Sequence, residues 1–153
     1  MIKTVLIGFI MLDYSSLTSK EFHAELQNLP EVAIFVKSVM GECGCGHQMI
    51  SSIDIAVEEV YVNIATYAYE EAASSKPVWI DCGPADGDFI LIFRDKGIPY
   101  DPLQTEEPVT GDPKKMTIGG YGIFMVKTIA DSVTYEYDHE NGQNVLVIKK
   151  RIQ

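Results

Sequence analysis

Residues 78–99 read VWIDCGPADGDFILIFRDKGIP, and this stretch gives the strongest indication of the fold class. Two runs rich in β-branched and aromatic residues, Val78–Cys82 and Phe89–Phe93, flank a segment of Gly, Pro and Asp that is typical of a turn. The stretch therefore predicts a β-hairpin. Because the strands of a hairpin pair antiparallel, a doubly wound parallel fold is disfavoured.

A second hairpin is predicted near the end of the chain. Val133–Asp138 and Asn144–Lys149 are strand-like runs that flank the turn signal His139-Glu140-Asn141-Gly142. A further strand is predicted upstream, at Ser16–Glu25. Two hairpins make the predicted sheet largely antiparallel.

Three helices complete the predicted order βααββαββ. The first opens at Leu29-Pro30-Glu31, since proline suits the first helical turn, and the third covers Gly119–Ser132. The second and longest lies between them. We therefore predict an α+β fold, a two-layer sandwich in which three helices cover one face of the sheet.

The chain of 153 residues suits one compact domain, predicted at residues 17–153 after an apolar extension at residues 1–16. Met1–Leu12 is too short to cross a bilayer, and no membrane partner is expected. We interpret it as an extra edge strand, a packing segment or the product of an upstream start codon rather than a signal peptide.

The charge and the cysteines indicate the setting. A net charge of −10 argues against direct nucleic-acid binding, which needs clustered Lys and Arg, but it permits a nucleotide whose phosphates meet magnesium and backbone N–H groups. The odd set Cys43, Cys45 and Cys82 fits a reducing cytoplasm better than a disulfide scaffold.

Glu59 and Asn63 lie on the second helix, predicted from Ser51 or Ser52 to about Ala73 with serine and Asp54 as capping groups. Four residues apart, they share one helix face. Amide and phosphate oxygens suit Mg²⁺, so Asn63 is a candidate metal ligand and Glu59 a candidate base. The alternative is a helix face that is merely solvated.

Asp95 follows an apolar strand and precedes Lys96-Gly97-Ile98-Pro99. A carboxylate at a strand end can accept a hydrogen bond from an exocyclic amine such as adenine N6, and Gly97 permits close backbone approach to the ring. The alternative is a simple Asp-x-Gly turn.

Gly119-Gly120-Tyr121-Gly122 opens the third helix, where unpaired N–H groups attract phosphate. The alternative is a hinge without a ligand. The preceding segment, Tyr100–Ile118, is too long for an ordinary connection and predicts a functional lid or loop. Its Lys114 and Lys115 are candidate phosphate contacts, and the alternative is that they are simple solubility charges beside an acidic stretch. No P-loop pattern is present in the sequence.

Three segments together carry a family resemblance. AVEEVYVN at 56–63, FRDKGIPYDP at 93–102 and GGYGIFMV at 119–126 resemble the N, G1 and G2 boxes of the anti-sigma-factor serine/threonine kinases, members of the GHKL ATPase superfamily. The resemblance extends over about Leu17–Lys150. It implies a Bergerat-type ATP-binding fold with a mixed, mostly antiparallel sheet.

The resemblance also implies roles for single residues. Glu59 matches the proposed catalytic base, Asn63 the magnesium-binding asparagine and Asp95 the adenine-binding aspartate. Leu103–Ile118 matches the ATP lid. The remaining predicted nucleotide contacts are Gly97, Pro99, Gly119, Gly120, Tyr121, Gly122 and, in the lid, Lys115.

The implied cofactors are ATP and Mg²⁺. The implied substrate is a serine or threonine on a STAS-domain anti-anti-sigma factor, the other implied partner is a sigma factor, and relatives imply a homodimer. The chain departs from the family at Tyr67, where many relatives carry histidine, and at Glu58, a position that is often uncharged. A nucleotide-gated regulator without kinase turnover, and a fold that has lost its nucleotide, stay open as alternatives.

Overall fold

The computed structural model describes residues 4–7, 10–104 and 120–153. These residues form a two-stranded sheet, a five-stranded sheet and three helices. The strands are β1 (Thr4–Ile7), β2 (Ile10–Asp13), β3 (Thr18–His23), β4 (Pro77–Ala85), β5 (Asp88–Asp95), β6 (Ser132–Asp138) and β7 (Gln143–Arg151). The helices are α1 (Leu29–Glu42), α2 (His47–Asn63) and α3 (Gly120–Ile129).

The larger sheet has the strand order β3-β4-β5-β7-β6, and its four pairings are all antiparallel. Both predicted hairpins are confirmed. Between β4 and β5, Asp86 and Gly87 adopt φ angles of 51° and 82°. Positive φ at both central residues is the requirement of a two-residue type I′ turn, which matches the twist of the strands.

The three helices pack on one face of this sheet, which confirms the predicted two-layer α+β fold. Side chains of β4, β5 and β7 alternate toward the helices, and the two layers share one buried core. From the sheet, this core includes Ile80, Cys82, Leu91, Phe93, Leu146 and Ile148. From the helices, it includes Val32, Val36, Ile53, Val57 and Val126.

The predicted bounds of the second helix are wrong at both ends. α2 begins at His47, after Gly46, and has no side-chain cap, so Ser51 and Ser52 lie inside the helix. Asp54 does not cap either, because its carboxylate pairs with Lys37 of α1 at 2.9 Å. Regular α-helix ends at Asn63, and a single π-helical turn, residues 64–68, replaces the expected continuation to Ala73.

The N-terminal strands β1 and β2 pair with each other rather than with the edge of the larger sheet in the described part of the chain. The interpretation of Met1–Leu12 as an extra edge strand of the larger sheet is therefore wrong for the described residues. The boundary between an extension at 1–16 and a domain at 17–153 stays a prediction. Among the described helices, none is long and apolar enough to cross a membrane.

The three cysteines are free thiols near the carboxyl end of α1 and on β4. Cys45 and Cys82 are buried, and Cys43 is half-buried. Burial raises the pKa of each thiol, that of Cys82 to about 12. Since the thiolate is the reactive form, these cysteines serve as core residues at neutral pH.

Candidate functional site

A cavity of about 590 Å³ opens between α2, the end of β5 and the start of α3. Its size falls in the range of about 300–1,000 Å³ that is usual for small-molecule sites. The lining is mainly apolar and aromatic, with a few polar groups. It consists of Val60, Asn63, Ile64, Tyr67, Ala68, Phe93, Asp95, Ile98, Tyr100, Pro102, Ile123, Tyr135, Asn144 and Leu146. Two predicted site residues, Asn63 and Asp95, are thus brought to one cavity.

Asp95 is the last residue of β5 and is buried, with 6% of its surface exposed. Its Oδ1 accepts hydrogen bonds from the backbone N–H of Gly97 at 2.9 Å and from Nδ2 of Asn144 at 3.0 Å. Within residues 4–7, 10–104 and 120–153, the Oδ2 atom accepts no hydrogen bond. The carboxylate is therefore held by one oxygen and has the other available for a ligand.

Burial raises the pKa of Asp95, and the hydrogen bonds from Asn144 and Gly97 only partly offset this shift. The ionised form is the one that can accept a hydrogen bond on both oxygens. If the ligand is ATP, as the sequence resemblance implies, its affinity is expected to fall as the pH is lowered, starting above the pH at which an ordinary aspartate is protonated.

The pH dependence can be checked by calorimetric titration with Mg-ATP from neutral to acidic pH. Because ATP itself takes up protons over this range, the ratio of wild-type to Asp95→Asn affinity isolates the contribution of Asp95. A ratio that stays constant across the range would contradict the assignment.

The backbone of Gly97 closely approaches Ala68, the last residue of the π-helical turn that follows α2. A Cβ atom at this position would lie 2.7 Å from both the carbonyl carbon and the Cβ of Ala68, closer than real Cβ atoms come. The neighbouring amide of Ile98 donates to Ala68 O at 3.0 Å. The hydroxyl of Tyr69 accepts from Lys96 N at 2.7 Å and donates to Pro77 O. These contacts fix the turn after Asp95.

Gly97→Ala is expected to destabilise the fold by about 2 kcal/mol and to weaken nucleotide binding, because backbone on both sides must move. Gly41→Ala is the matched control. Gly41 lies inside α1, and a Cβ there meets no atom within 4 Å, so stability should rise by up to about 1 kcal/mol. Thermal unfolding and ATP titration of both variants measure the effects. Equal behaviour of the two variants would show that the close approach at Gly97 is unimportant.

Glu59 and Asn63 stand one turn apart at the carboxyl end of α2. Asn63 lines the cavity, whereas Glu59 lies beside it against Gly122, the third residue of α3. A Cβ atom on Gly122 would overlap Oε2 of Glu59 and lie 3.2 Å from its Cδ. The structure thus brings the predicted base against Gly122, one of the predicted phosphate-binding glycines. A carboxylate here also lies near the positive end of the α3 dipole.

The other predicted site residues have different outcomes. Gly120 is the first described residue of α3, and Gly119, where the helix was predicted to begin, lies outside the described residues. The helix ends at Ile129 rather than at the predicted Ser132, which is the first residue of β6. Pro99 is exposed and lies outside the cavity lining. Gly119 and Lys115 lie outside the described residues, as does most of the predicted lid. The side chain of Tyr121 also lies outside the description.

Asn63 fits a magnesium site that is completed by a nucleotide. Its amide lines the cavity and makes no side-chain hydrogen bond to the described residues. Over those same residues, no group of three or more His, Cys, Asp or Glu side chains is arranged to hold a metal ion alone. Mg²⁺ commonly uses one or two protein oxygens together with phosphates and water, so the donor set suits a metal–nucleotide complex.

Asn144 and Tyr135 line the cavity and were not predicted as site residues. Asn144 faces Asp95 in the β5–β7 register. Its polar side chain before the apolar run Val145–Ile148 was the one available signal, since a strand start buried on the core face rarely carries an amide. Tyr67, noted from the sequence as a departure, is 52% exposed at the cavity.

The chain belongs to the histidine kinase-like ATPase domain family, whose sequence profile matches residues 22–150. This match covers the three helices, β4 to β6, nearly all of β7 and the residues that line the cavity, but only the last two residues of β3. The resemblance to anti-sigma-factor kinases that the three boxes indicate is confirmed by individual relatives.

Among these relatives is the serine-protein kinase RsbW of Listeria monocytogenes serovar 1/2a, 27% identical, with 74% of each chain covered. The anti-sigma F factor of Clostridium perfringens is 23% identical, covering 85% of this chain and 93% of the relative. A crystal structure of the RsbU and RsbW domains of a Mycobacterium tuberculosis protein has a TM-score of 0.63 at 15% identity. That likeness covers 89% of this chain and 32% of the larger protein, and it supports the fold.

Proposed function

We propose that this chain binds Mg-ATP in the cavity and transfers the γ-phosphoryl group to a serine or threonine of a partner protein. The observation that carries the proposal is that the structure places two carboxylates, those of Asp95 and Glu59, at and beside the same cavity. Asp95 has one carboxylate oxygen that accepts no hydrogen bond from the described residues, and Glu59 lies against Gly122 near the start of α3. Asn63 lies one turn from Glu59 and lines the same cavity as Asp95.

The adenine base would bind at the end that Asp95 marks. Oδ2 can accept a hydrogen bond from the exocyclic amine of adenine, and Phe93, Ile98 and Leu146 supply apolar surface for the ring. Guanine presents an oxygen at the corresponding position, which a carboxylate repels. The described contacts of Asp95 therefore suit the exocyclic amine of adenine.

The phosphates would bind at the start of α3. Backbone N–H groups of a first helical turn have no partner within the helix, and the glycines at 120 and 122 add no side chain over them. Asn63 would hold Mg²⁺ through its amide oxygen. ATP supplies the γ-phosphoryl group, and the magnesium ion bound with it neutralises part of the triphosphate charge.

Glu59 would act as the general base. The hydroxyl oxygen of the substrate forms a bond to the γ-phosphorus, the bond from that phosphorus to the β–γ bridging oxygen breaks, and ADP leaves with the electron pair. Glu59 accepts the hydroxyl proton during this step. The N–H groups at the start of α3 stabilise the charge that develops on the phosphoryl oxygens.

The partners are proposed from the relatives and the resemblance. A serine-protein kinase and anti-sigma F factors are among the similar proteins, which supports a STAS-domain anti-anti-sigma factor as substrate and a sigma factor as second partner. A homodimer is proposed on the same basis. Phosphorylation would weaken one partnership and favour the other.

One observation favours a second candidate, a nucleotide-gated regulator without turnover. Tyr67, which stands where many relatives carry histidine, lines the cavity with half of its surface exposed. A change at the cavity can preserve nucleotide binding while it removes catalysis. In this case the ATP or ADP state alone would set the affinity for a protein partner.

A transfer assay separates the two candidates. The purified chain is incubated with magnesium, ATP labelled on the γ-phosphate and a purified STAS-domain partner encoded nearby in the genome. Labelled phosphate on a partner serine or threonine supports the kinase. Tight Mg-ATP binding without label on the partner would leave the regulator, and absence of ATP and ADP binding at millimolar concentration would remove both.

A further inference from the structure

Asn144 is the most heavily hydrogen-bonded side chain of the cavity. It lies near the start of β7, directly opposite Asp95, and only 7% of its surface is exposed. Its Nδ2 donates to Asp95 Oδ1 at 3.0 Å and to Ile98 O at 3.0 Å, with Gly97 O at 3.4 Å as a longer contact. Its Oδ1 accepts from Tyr100 N at 3.1 Å and from the hydroxyl of Tyr135.

This network fixes which end of the amide carries the oxygen. The backbone N–H of Tyr100 needs an acceptor, and the carboxylate of Asp95 needs a donor. Exchanging the two ends of the amide would place a donor against a donor on one side and an oxygen against a carboxylate on the other. The orientation of Asn144 is therefore set by its neighbours.

The side chain has no capacity left for a ligand. A primary amide offers two N–H donors and two acceptor positions, and all four are used within the protein. Asn144 consequently acts on a ligand through another group rather than by contact.

That group is Asp95. Its Oδ1 receives two N–H groups, from Asn144 on β7 and from Gly97 after β5, so rotation of the carboxylate would break both hydrogen bonds. Asn144 also holds the backbone at Ile98 and Tyr100, two residues of the cavity lining. One amide thus links the carboxylate to the segment after β5 that also lines the cavity.

We propose that Asn144 is a positioning residue that sets the base selectivity of the cavity. By holding Oδ1 in place, Asn144 presents Oδ2 as a fixed acceptor for an exocyclic amine. A base that carries this amine therefore binds more tightly than one that lacks it. The inference rests on the proposed function, because it takes a purine nucleotide as the ligand.

The test compares two nucleotides in each variant, Mg-ATP and Mg-purine riboside triphosphate, which lacks the exocyclic amine. Wild type is expected to bind ATP about 10- to 100-fold more tightly, the value of one hydrogen bond to a buried carboxylate. Asn144→Leu, which keeps the branched shape of the side chain and removes every hydrogen bond, should bring this ratio close to one while the purine compound still binds. Asn141→Leu, at the exposed tip of the same hairpin, is the control and should keep the wild-type ratio.

A second variant covers the case in which Asn144→Leu does not fold. Tyr135→Phe removes only the hydroxyl that donates to Asn144 Oδ1, and it should lower the ratio severalfold. If both variants lose affinity for the two nucleotides equally, Asn144 is only structural and the proposal is wrong. If wild type binds neither nucleotide, the proposed function itself fails and the inference falls with it.

Discussion

Asp95→Asn is expected to weaken Mg-ATP binding about 100-fold, while the free energy of unfolding stays the same or rises. The two effects have opposite signs because the buried carboxylate strengthens the binding of the ligand but lowers the free energy of unfolding. Isothermal titration with Mg-ATP measures the first, and urea unfolding at neutral pH measures the second.

The loss of affinity follows from the two hydrogen bonds on Oδ1. Gly97 N and Asn144 Nδ2 both donate to that atom, so an introduced amide would place its oxygen there. Its NH₂ group would then stand where Oδ2 stands in the wild type. A donor would meet the N–H donors of the adenine amine, and a favourable contact becomes an unfavourable one.

The unchanged or higher free energy of unfolding of Asp95→Asn follows from the direction of the pKa shift of Asp95. Burial raises the pKa of Asp95, so the folded protein holds the proton more tightly than the unfolded chain does. Such a carboxyl destabilises the fold as the pH rises through its ordinary pKa toward the raised one. An uncharged amide that keeps the acceptor for Gly97 and Asn144 removes this cost at neutral pH.

Asp138→Asn is a control with the opposite sign. The pKa of Asp138 is lowered, chiefly by the side-chain amide of Asn141 and also by the backbone N–H groups of Asn141 and Glu140. A lowered pKa means that the ionised form stabilises the fold above the ordinary aspartate pKa, and that this stability is lost as the pH falls through the lowered value. Asp138→Asn should therefore reduce stability and leave ATP binding unchanged.

If Asp95→Asn bound Mg-ATP like the wild type, the free oxygen of Asp95 would have no part in recognition.

Local patterns were enough to predict the parts of the fold that local physics determines. The hairpin at 78–93 follows from two apolar runs around a Gly-rich turn, and its register places Asp95 at a strand end. The first helix begins where Leu29-Pro30-Glu31 predicts, with proline in its first turn. These features depend on residues that are close in sequence.

The features that sequence reasoning missed depend on contacts between distant residues. Asn144 becomes a site residue only because β7 pairs with β5, which sets it opposite a residue 49 positions earlier. The start of α2 was misplaced because Ser51, Ser52 and Asp54 are good capping residues, yet Asp54 pairs with Lys37 on another helix. Local propensity yielded to tertiary contacts in both cases.

The contact between Glu59 and Gly122 was predicted only as two separate motifs. Glu59 and Gly122 lie far apart in the sequence, and they meet only because α2 packs against α3. Gly122 lets the Glu59 carboxylate take this position, because a Cβ atom there would overlap it and the glutamate side chain would have to shift.

Glu59→Gln is expected to slow phosphoryl transfer to the partner by about 10²- to 10⁴-fold, the usual contribution of a general base. Glutamine has the same length and shape, so it fits against Gly122, but its neutral amide cannot take the hydroxyl proton. Because Glu59 lies beside the cavity rather than in its lining, the affinity for Mg-ATP should change no more than about threefold. Single-turnover transfer from labelled ATP, with the dissociation constant measured separately, resolves the two quantities.

Glu58→Gln is the matched control for this variant. Glu58 is the preceding residue on the same helix, carries the same charge and is exposed, whereas Glu59 is half-buried against α3. Both substitutions remove one negative charge from the same turn, so any effect of net charge on partner docking appears equally in the two. A large loss of transfer in Glu59→Gln alone identifies the base. Equal rates in the two variants would remove Glu59 from the mechanism, because electrostatic steering would then account for the whole effect.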